Sequence, residues 1–71
     1  MKIIFSLHAR KRIFQRSIAK SRVREAVLEP DWYEPTFGGR IKVQKGIKQK
    51  TLEVIYFEQG ECLVVITAYF L

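Results

Sequence analysis

His8, Arg12 and Arg16 recur at intervals of four in the amino-acid sequence. On an α-helix that spacing places all three side chains on one stripe, with successive Cβ atoms about 5–6 Å apart. Like charges stacked this way repel unless an anion lies among them, and a phosphate backbone is such an anion. His8 would stand in the first helical turn, where the positive end of the macrodipole favours an uncharged ring. A neutral imidazole beside two guanidiniums suits a general base or acid acting on a hydroxyl next to a phosphate. Two arginines suit electrostatic stabilisation of a phosphorane-like transition state. The same residues also fit a plain binding site or a solvated helix face.

Other residues carry weaker signals. Thr67 and Tyr69 alternate near the end of the chain, so on a strand they share a face. Arg40, Lys42 and Lys45, with Lys48 and Lys50, line one region and either extend an RNA track or form a charged edge that blocks strand-to-strand aggregation. Trp32, Tyr33 and Phe37 either stack on bases or belong to the core or a partner interface. Cys62, at the start of a strand, reads as a small buried hydrophobe rather than a nucleophile. With one His, one Cys and no pair of carboxylates at ligand spacing, no metal and no other cofactor is expected. Gly38-Gly39 opens into a strand and not a helix, so it is no phosphate loop.

These residues need elements to hold them. Ser6 can cap a helix from Leu7 to about Gln15 or Arg16, with Leu7, Ala9, Ile13 and Phe14 on its buried arc and Arg10 as a blemish within it. A second helix follows, with Ala19 at the cap position, Ile18 and Val23 spaced as a hydrophobic staple, and Val23, Ala26 and Val27 as the buried stripe. Pro30 ends it near Leu28. The remainder alternates as strands. Trp32 to Phe37 is extended, with Pro35 marking an edge, and Gly38-Gly39 turns the chain. Arg40 to Lys45 is half-exposed, with Gly46 as a bulge. Thr51 to Glu58 and Cys62 to Phe70 follow, joined by a turn at Gln59-Gly60-Glu61. On the last strand Val64, Ile66, Ala68 and Phe70 would meet the helices, leaving Leu63, Val65, Thr67 and Tyr69 on the other face. The expectation is α+β: two N-terminal helices packed on a three- to four-stranded antiparallel sheet.

Seventy-one residues fit one domain, spanning 1–71. A chain this small has a thin core, and one cysteine cannot brace it with an internal disulfide. Packing must hold it together, and a partner chain, a homodimer included, is one way to extend that packing. No apolar run is long enough to span a membrane or to form a secretory signal core, so no membrane association is expected and a reducing cytoplasm is the default compartment. The net charge of +6 is unevenly placed: residues 1–24 carry eight bases and no acid, and residues 35–50 carry five bases and no acid. Basic blocks that fold onto one face suit a polyanionic partner, RNA or DNA first.

The stretches His8-Ala9-Arg10-Lys11-Arg12, Arg16-Ser17-Ile18, Val23 to Pro30, Thr51-Leu52-Glu53-Val54-Ile55-Tyr56 and Val64-Val65-Ile66-Thr67-Ala68-Tyr69, in that order, resemble a small prokaryotic family of domains of unknown function. That family is similar to the BrnT and RelE toxins of toxin–antitoxin systems, small metal-independent ribonucleases with helices packed on an antiparallel sheet. The resemblance implies an endoribonuclease, RNA as substrate and a cognate antitoxin as protein partner. It points to His8, Arg12, Arg16, Thr67 and Tyr69 as catalytic positions, and to Arg40 and Lys45 on a basic RNA-binding strand. Ala19 departs from the pattern, where Ser is usual. The alternative is a basic domain that binds nucleic acid without cutting it, or that docks an acidic partner.

Overall fold

A computed structural model describes all residues, Met1–Leu71. The chain opens with strand β1 (Lys2–Phe5), followed by helices α1 (Leu7–Gln15) and α2 (Lys20–Leu28). Strands β2 (Trp32–Pro35), β3 (Arg40–Ile47), β4 (Lys50–Gln59) and β5 (Cys62–Phe70) complete it, with a short 3₁₀ turn at Phe37–Gly39 between β2 and β3. The sheet order is β1-β5-β4-β3-β2. The four later strands form the expected antiparallel meander, and β1 adds a parallel fifth strand beside β5, pairing Ile4 with Val64. The fold is therefore α+β, but the helices are preceded by a strand and the sheet is mixed. A parallel partner nearly the whole chain away leaves no turn signal near Lys2–Phe5 from which β1 could be read.

Both helices pack on one face of the sheet. The core joins Ala9 and Ile13 of α1, Ile18 of the connecting loop and Val23, Ala26 and Val27 of α2 to Ile41, Val43, Leu52, Val54, Tyr56, Leu63, Val65 and Ala68 of the sheet. Ser6 caps α1 as its type predicts, its hydroxyl accepting from Ala9 N at 3.0 Å. Leu7 and Phe14, expected in the core, are exposed, Phe14 at 86 %. The nine-residue α1 lays only the line through Ala9 and Ile13 on the sheet, too narrow to include them.

Two register details decide which residues share the helix-free face. Ile55 pairs with Thr67 while Tyr56 pairs with Val65, so β5 carries an extra residue, Ile66, as a bulge. The bulge reverses the alternation. Leu63 and Val65 face the helices before it, Ala68 and Phe70 after it, so Val64 does not share a face with Ala68 as strict alternation predicts. Thr67 and Tyr69 still lie on the helix-free face. Gly46, expected to bulge β3, pairs regularly with Thr51, and its N–H donates to the Asp31 carboxylate at 2.8 Å. The turn before β3 uses Gly38 and Gly39, both at positive φ (73° and 74°), the conformation that glycine accommodates without strain.

Candidate functional site

The helix stripe ends where α1 ends. Arg16 is the C-cap residue, and α1 closes in a Schellman arrangement: Ile18 N–H donates to Ile13 O at 2.8 Å and Ser17 N–H to Phe14 O at 3.2 Å. Ser17 takes the left-handed position usually given to glycine, at φ 55°. Ile13 and Ile18 are both buried, the apolar contact that accompanies this motif.

α1 is tied to β5 at both ends. Ser6 N–H donates to Val65 O at 3.1 Å, and Arg16 Nη1 donates to Ala68 O at 2.9 Å. The helix thus runs beside the part of β5 that β1, ending at Phe5, leaves without a neighbouring strand. The Arg16 guanidinium also stands 5.9 Å from the centroid of the Tyr69 ring, a cation–π contact. The structure therefore brings Arg16 and Tyr69 together, with Thr67 beside Tyr69 on the same face. It does not bring His8 to them. His8 and Arg12 are exposed and meet only their own helix: Arg12 Nε approaches His8 Nε2 at 3.4 Å, and Arg12 Nη1 donates to Gln15 Oε1 at 3.2 Å. The one ion pair in the molecule is Arg22–Glu25, so no acidic side chain neutralises His8, Arg12 or Arg16.

The second basic block divides between faces. Arg40 and Lys42 stand on the helix-free face, opposite Phe57 and Ile55 of β4. Lys45 is on the helix side, where its ammonium donates to Glu29 O at 2.8 Å and satisfies the C-terminal end of α2. The expected track through Arg40, Lys42 and Lys45 is thus broken by strand alternation. Trp32, Tyr33 and Phe37 are all exposed, Phe37 at 92 %, so none of them is core. Cys62 is a half-buried free thiol. No group of His, Cys, Asp and Glu is placed to hold a metal ion.

Sequence reasoning missed Glu53. It lies in the middle of β4 on the helix-free face, 5 % exposed, the only charged side chain buried in the molecule. Gln44 Nε2 donates to its Oε1 at 2.8 Å and the Tyr69 hydroxyl donates to its Oε2. Burial pushes the carboxyl up, but the hydrogen bonds from Tyr69 and Gln44 and the charge of Lys42 outweigh it, and it stays below the ordinary glutamate value. Tyr69 is pushed up to about 12, chiefly by its hydrogen bond to Glu53, with burial and the Glu53 charge adding to it and Arg16 opposing. The available signal was the strand pattern: alternation sets Glu53 opposite Gln44 and Tyr69, but only once the register across the β5 bulge is known.

The fold and site define a small α+β domain whose basic helix borders the open face of a mixed sheet. The chain belongs to the family described as Domain of unknown function (DUF4258), which it matches over residues 5–70. Comparison with curated proteins and with solved structures gives no match. No helix is long and apolar enough to cross a membrane.

Proposed function

We propose that the chain is a metal-independent endoribonuclease of the toxin–antitoxin type. The observation that carries this reading is the unneutralised stripe His8–Arg12–Arg16, which ends over the Tyr69 ring. Repulsion along such a stripe is relieved by phosphates, and a tyrosine at its end supplies polar chemistry beside them. The 2′-hydroxyl of RNA would attack the adjacent phosphorus, giving a 2′,3′-cyclic phosphate and a free 5′-hydroxyl. Arg12 and Arg16 hold the phosphates. His8, at the solvent end of the stripe, adds a hydrogen-bonding group to the phosphate track, and Tyr69 with Thr67 orients the reacting group. Arg40 and Lys42 lengthen the basic surface across the open face, and an acidic antitoxin would cover the same charges.

The test is incubation of the purified protein with total RNA in EDTA. Fragments ending in 2′,3′-cyclic phosphate support the reading. A second reading, a binding or docking module without catalysis, is favoured by one feature: the stripe faces open solvent. The two concavities of the surface lie elsewhere, one by the α1–α2 loop and the β3–β4 turn, the other by Met1, Lys2 and the β4–β5 turn. RNA retained intact at every protein concentration would select that second reading.

A further inference from the structure

Glu53 is a charge covered by its neighbours on the helix-free face, where an unpaired buried carboxylate is costly. Both of its oxygens are occupied, one by the Gln44 amide and one by the Tyr69 hydroxyl. The charged groups near this pair are Lys42 on β3, with Glu34 opposite it on β2, and Arg16 of α1 over the Tyr69 ring. The carboxylate is covered, whereas the Tyr69 side chain is half-buried.

The direction of the hydrogen bond decides what Tyr69 can recognise. A phenol has one proton, and here it is committed to Glu53. The phenolic oxygen is left as an acceptor, so its partner must bring an O–H or N–H donor. Arg16, over the ring of the same tyrosine, calls for an anion near that donor. In nucleic acids a sugar hydroxyl adjoining a phosphate is the ribose 2′-hydroxyl, which DNA lacks.

We infer that Tyr69 and Glu53 form a receptor for the ribose 2′-hydroxyl, in which Glu53 is the positioning residue behind Tyr69 and the final acceptor of the hydroxyl proton. The inference rests on reading the α1 stripe as a phosphate track, and it names the sugar which that track selects. In the cleavage step the 2′-O–H proton passes to the phenolic oxygen as the phenolic proton passes to Glu53 Oε2. The freed electron pair forms the 2′-O–P bond, and the P–O5′ bond breaks. The 5′-oxygen leaves with the electron pair of the broken P–O5′ bond and takes a proton from water. Glu53 ends as the neutral acid and Tyr69 is unchanged. With its titration pushed up to about 12, Tyr69 stays protonated at neutral pH and relays a proton instead of ionising.

Three single-stranded oligonucleotides of one sequence test this: RNA, DNA and 2′-O-methyl RNA. Fluorescence anisotropy in EDTA at fixed salt gives their affinities before cleavage becomes measurable. The wild-type protein is expected to bind RNA about tenfold tighter than the other two, the worth of one hydrogen bond of about 1.4 kcal/mol. The methyl group removes the donor without altering the protein, so this arm does not depend on any variant folding. Tyr69→Phe and Glu53→Gln, checked for folding by circular dichroism, should lose the preference while keeping their affinity for DNA. Cleavage by the wild type should fall as pH drops through the Glu53 titration, below the ordinary value of 4.5, and that limb should be absent from Glu53→Gln. Equal binding of RNA and 2′-O-methyl RNA by the wild type overturns the inference, as does an RNA preference that survives in both variants. If RNA is preferred through Tyr69 and Glu53 but not cut, the receptor stands and the nuclease reading fails. If RNA is cut with no 2′-hydroxyl preference, the nuclease stands and the receptor fails.

Discussion

The two ends of α1 carry the same kind of residue and behave differently. At the N-terminal end His8 and Arg12 touch only their own helix. At the C-terminal end Arg16 is bound to the Ala68 carbonyl and stands over the Tyr69 ring. The cause is the pitch of the helix. At about 100° per residue, each step of four winds the stripe by about 40°. Measured from the buried line between Ala9 and Ile13, His8 lies about 120° away, Arg12 about 80° and Arg16 about 40°. A stripe that looks straight in sequence therefore runs from solvent into the sheet edge. On the proposed reading its two ends take different tasks, attraction of a chain of phosphates at one and placement of a reacting group at the other.

The largest expected effect bears on whether both ends take part in chemistry. Tyr69→Phe should lower RNA cleavage by about 10²–10⁴, the usual worth of a group that transfers a proton, whereas His8→Gln should change it by less than about tenfold. Only Tyr69→Phe should also lower the thermal midpoint, because it leaves the buried Glu53 short of a donor. A midpoint lowered equally by both variants would break the distinction between the ends.

Next in size is the arginine pair. Arg16→Ala should cost about 1–3 kcal/mol in urea unfolding, because it strips a carbonyl on the unpaired stretch of β5 of its donor. Arg12→Ala should stay within about 0.5 kcal/mol. Their binding roles are the reverse test. Removing Arg12 should reduce the slope of log K against log salt by about one, the signature of one lost phosphate contact. An unchanged slope would leave Arg12 as a solubility feature.

The pH dependence sharpens the C-terminal end. Tyr69 is protonated in the folded chain up to about 12, above the ordinary 10.0 of an unfolded tyrosine. The folded state then holds the extra proton between those values, so stability is full below pH 10 and declines as pH rises toward 12. The opposite sign applies to Glu53, whose contribution is present above 4.5 and is lost as pH falls through its lowered titration. Unfolding followed by fluorescence across both ranges should show both declines in the wild type and a smaller alkaline one in Tyr69→Phe, the remainder coming from Tyr56, whose phenol burial also pushes up.

The smallest effect concerns the turn that presents Arg16. Ser17→Gly relieves a left-handed conformation at φ 55° but frees the unfolded chain. The net gain should be below about 1 kcal/mol by denaturant titration. A clear loss would mean that the Ser17 side chain has a role beyond closing the helix.

Local rules recovered much of this molecule because local physics decides it. The Ser6 cap, the stripe Val23-Ala26-Val27, the stop before Pro30, the turn at Gly38-Gly39 and the antiparallel meander all follow from residue type and short spacing. So did the placement of His8 and Arg12 on one helix with Arg16 at its end, and of Thr67 beside Tyr69. What spans the chain was not legible. Strand β1 exists because β5 offers a parallel edge far along the sequence, and no nearby residue announces that pairing. Leu7 and Phe14 are apolar on the expected arc, yet a two-turn helix at a sheet edge has nothing to lay over them. Lys45 left the basic track because alternation turned it to the helix side, where the end of α2 takes it up. Glu53 shows the limit most plainly. Its own neighbours in sequence mark it only as a charge in an apolar strand, and its character as a buried, doubly bonded carboxylate comes from Gln44 on one strand and Tyr69 on another, in a register set by one bulged residue. Side-chain type and helical or strand period are properties of a short window and were settled by the sequence. Which windows meet depends on the closure of the sheet, and only the tertiary structure decided that.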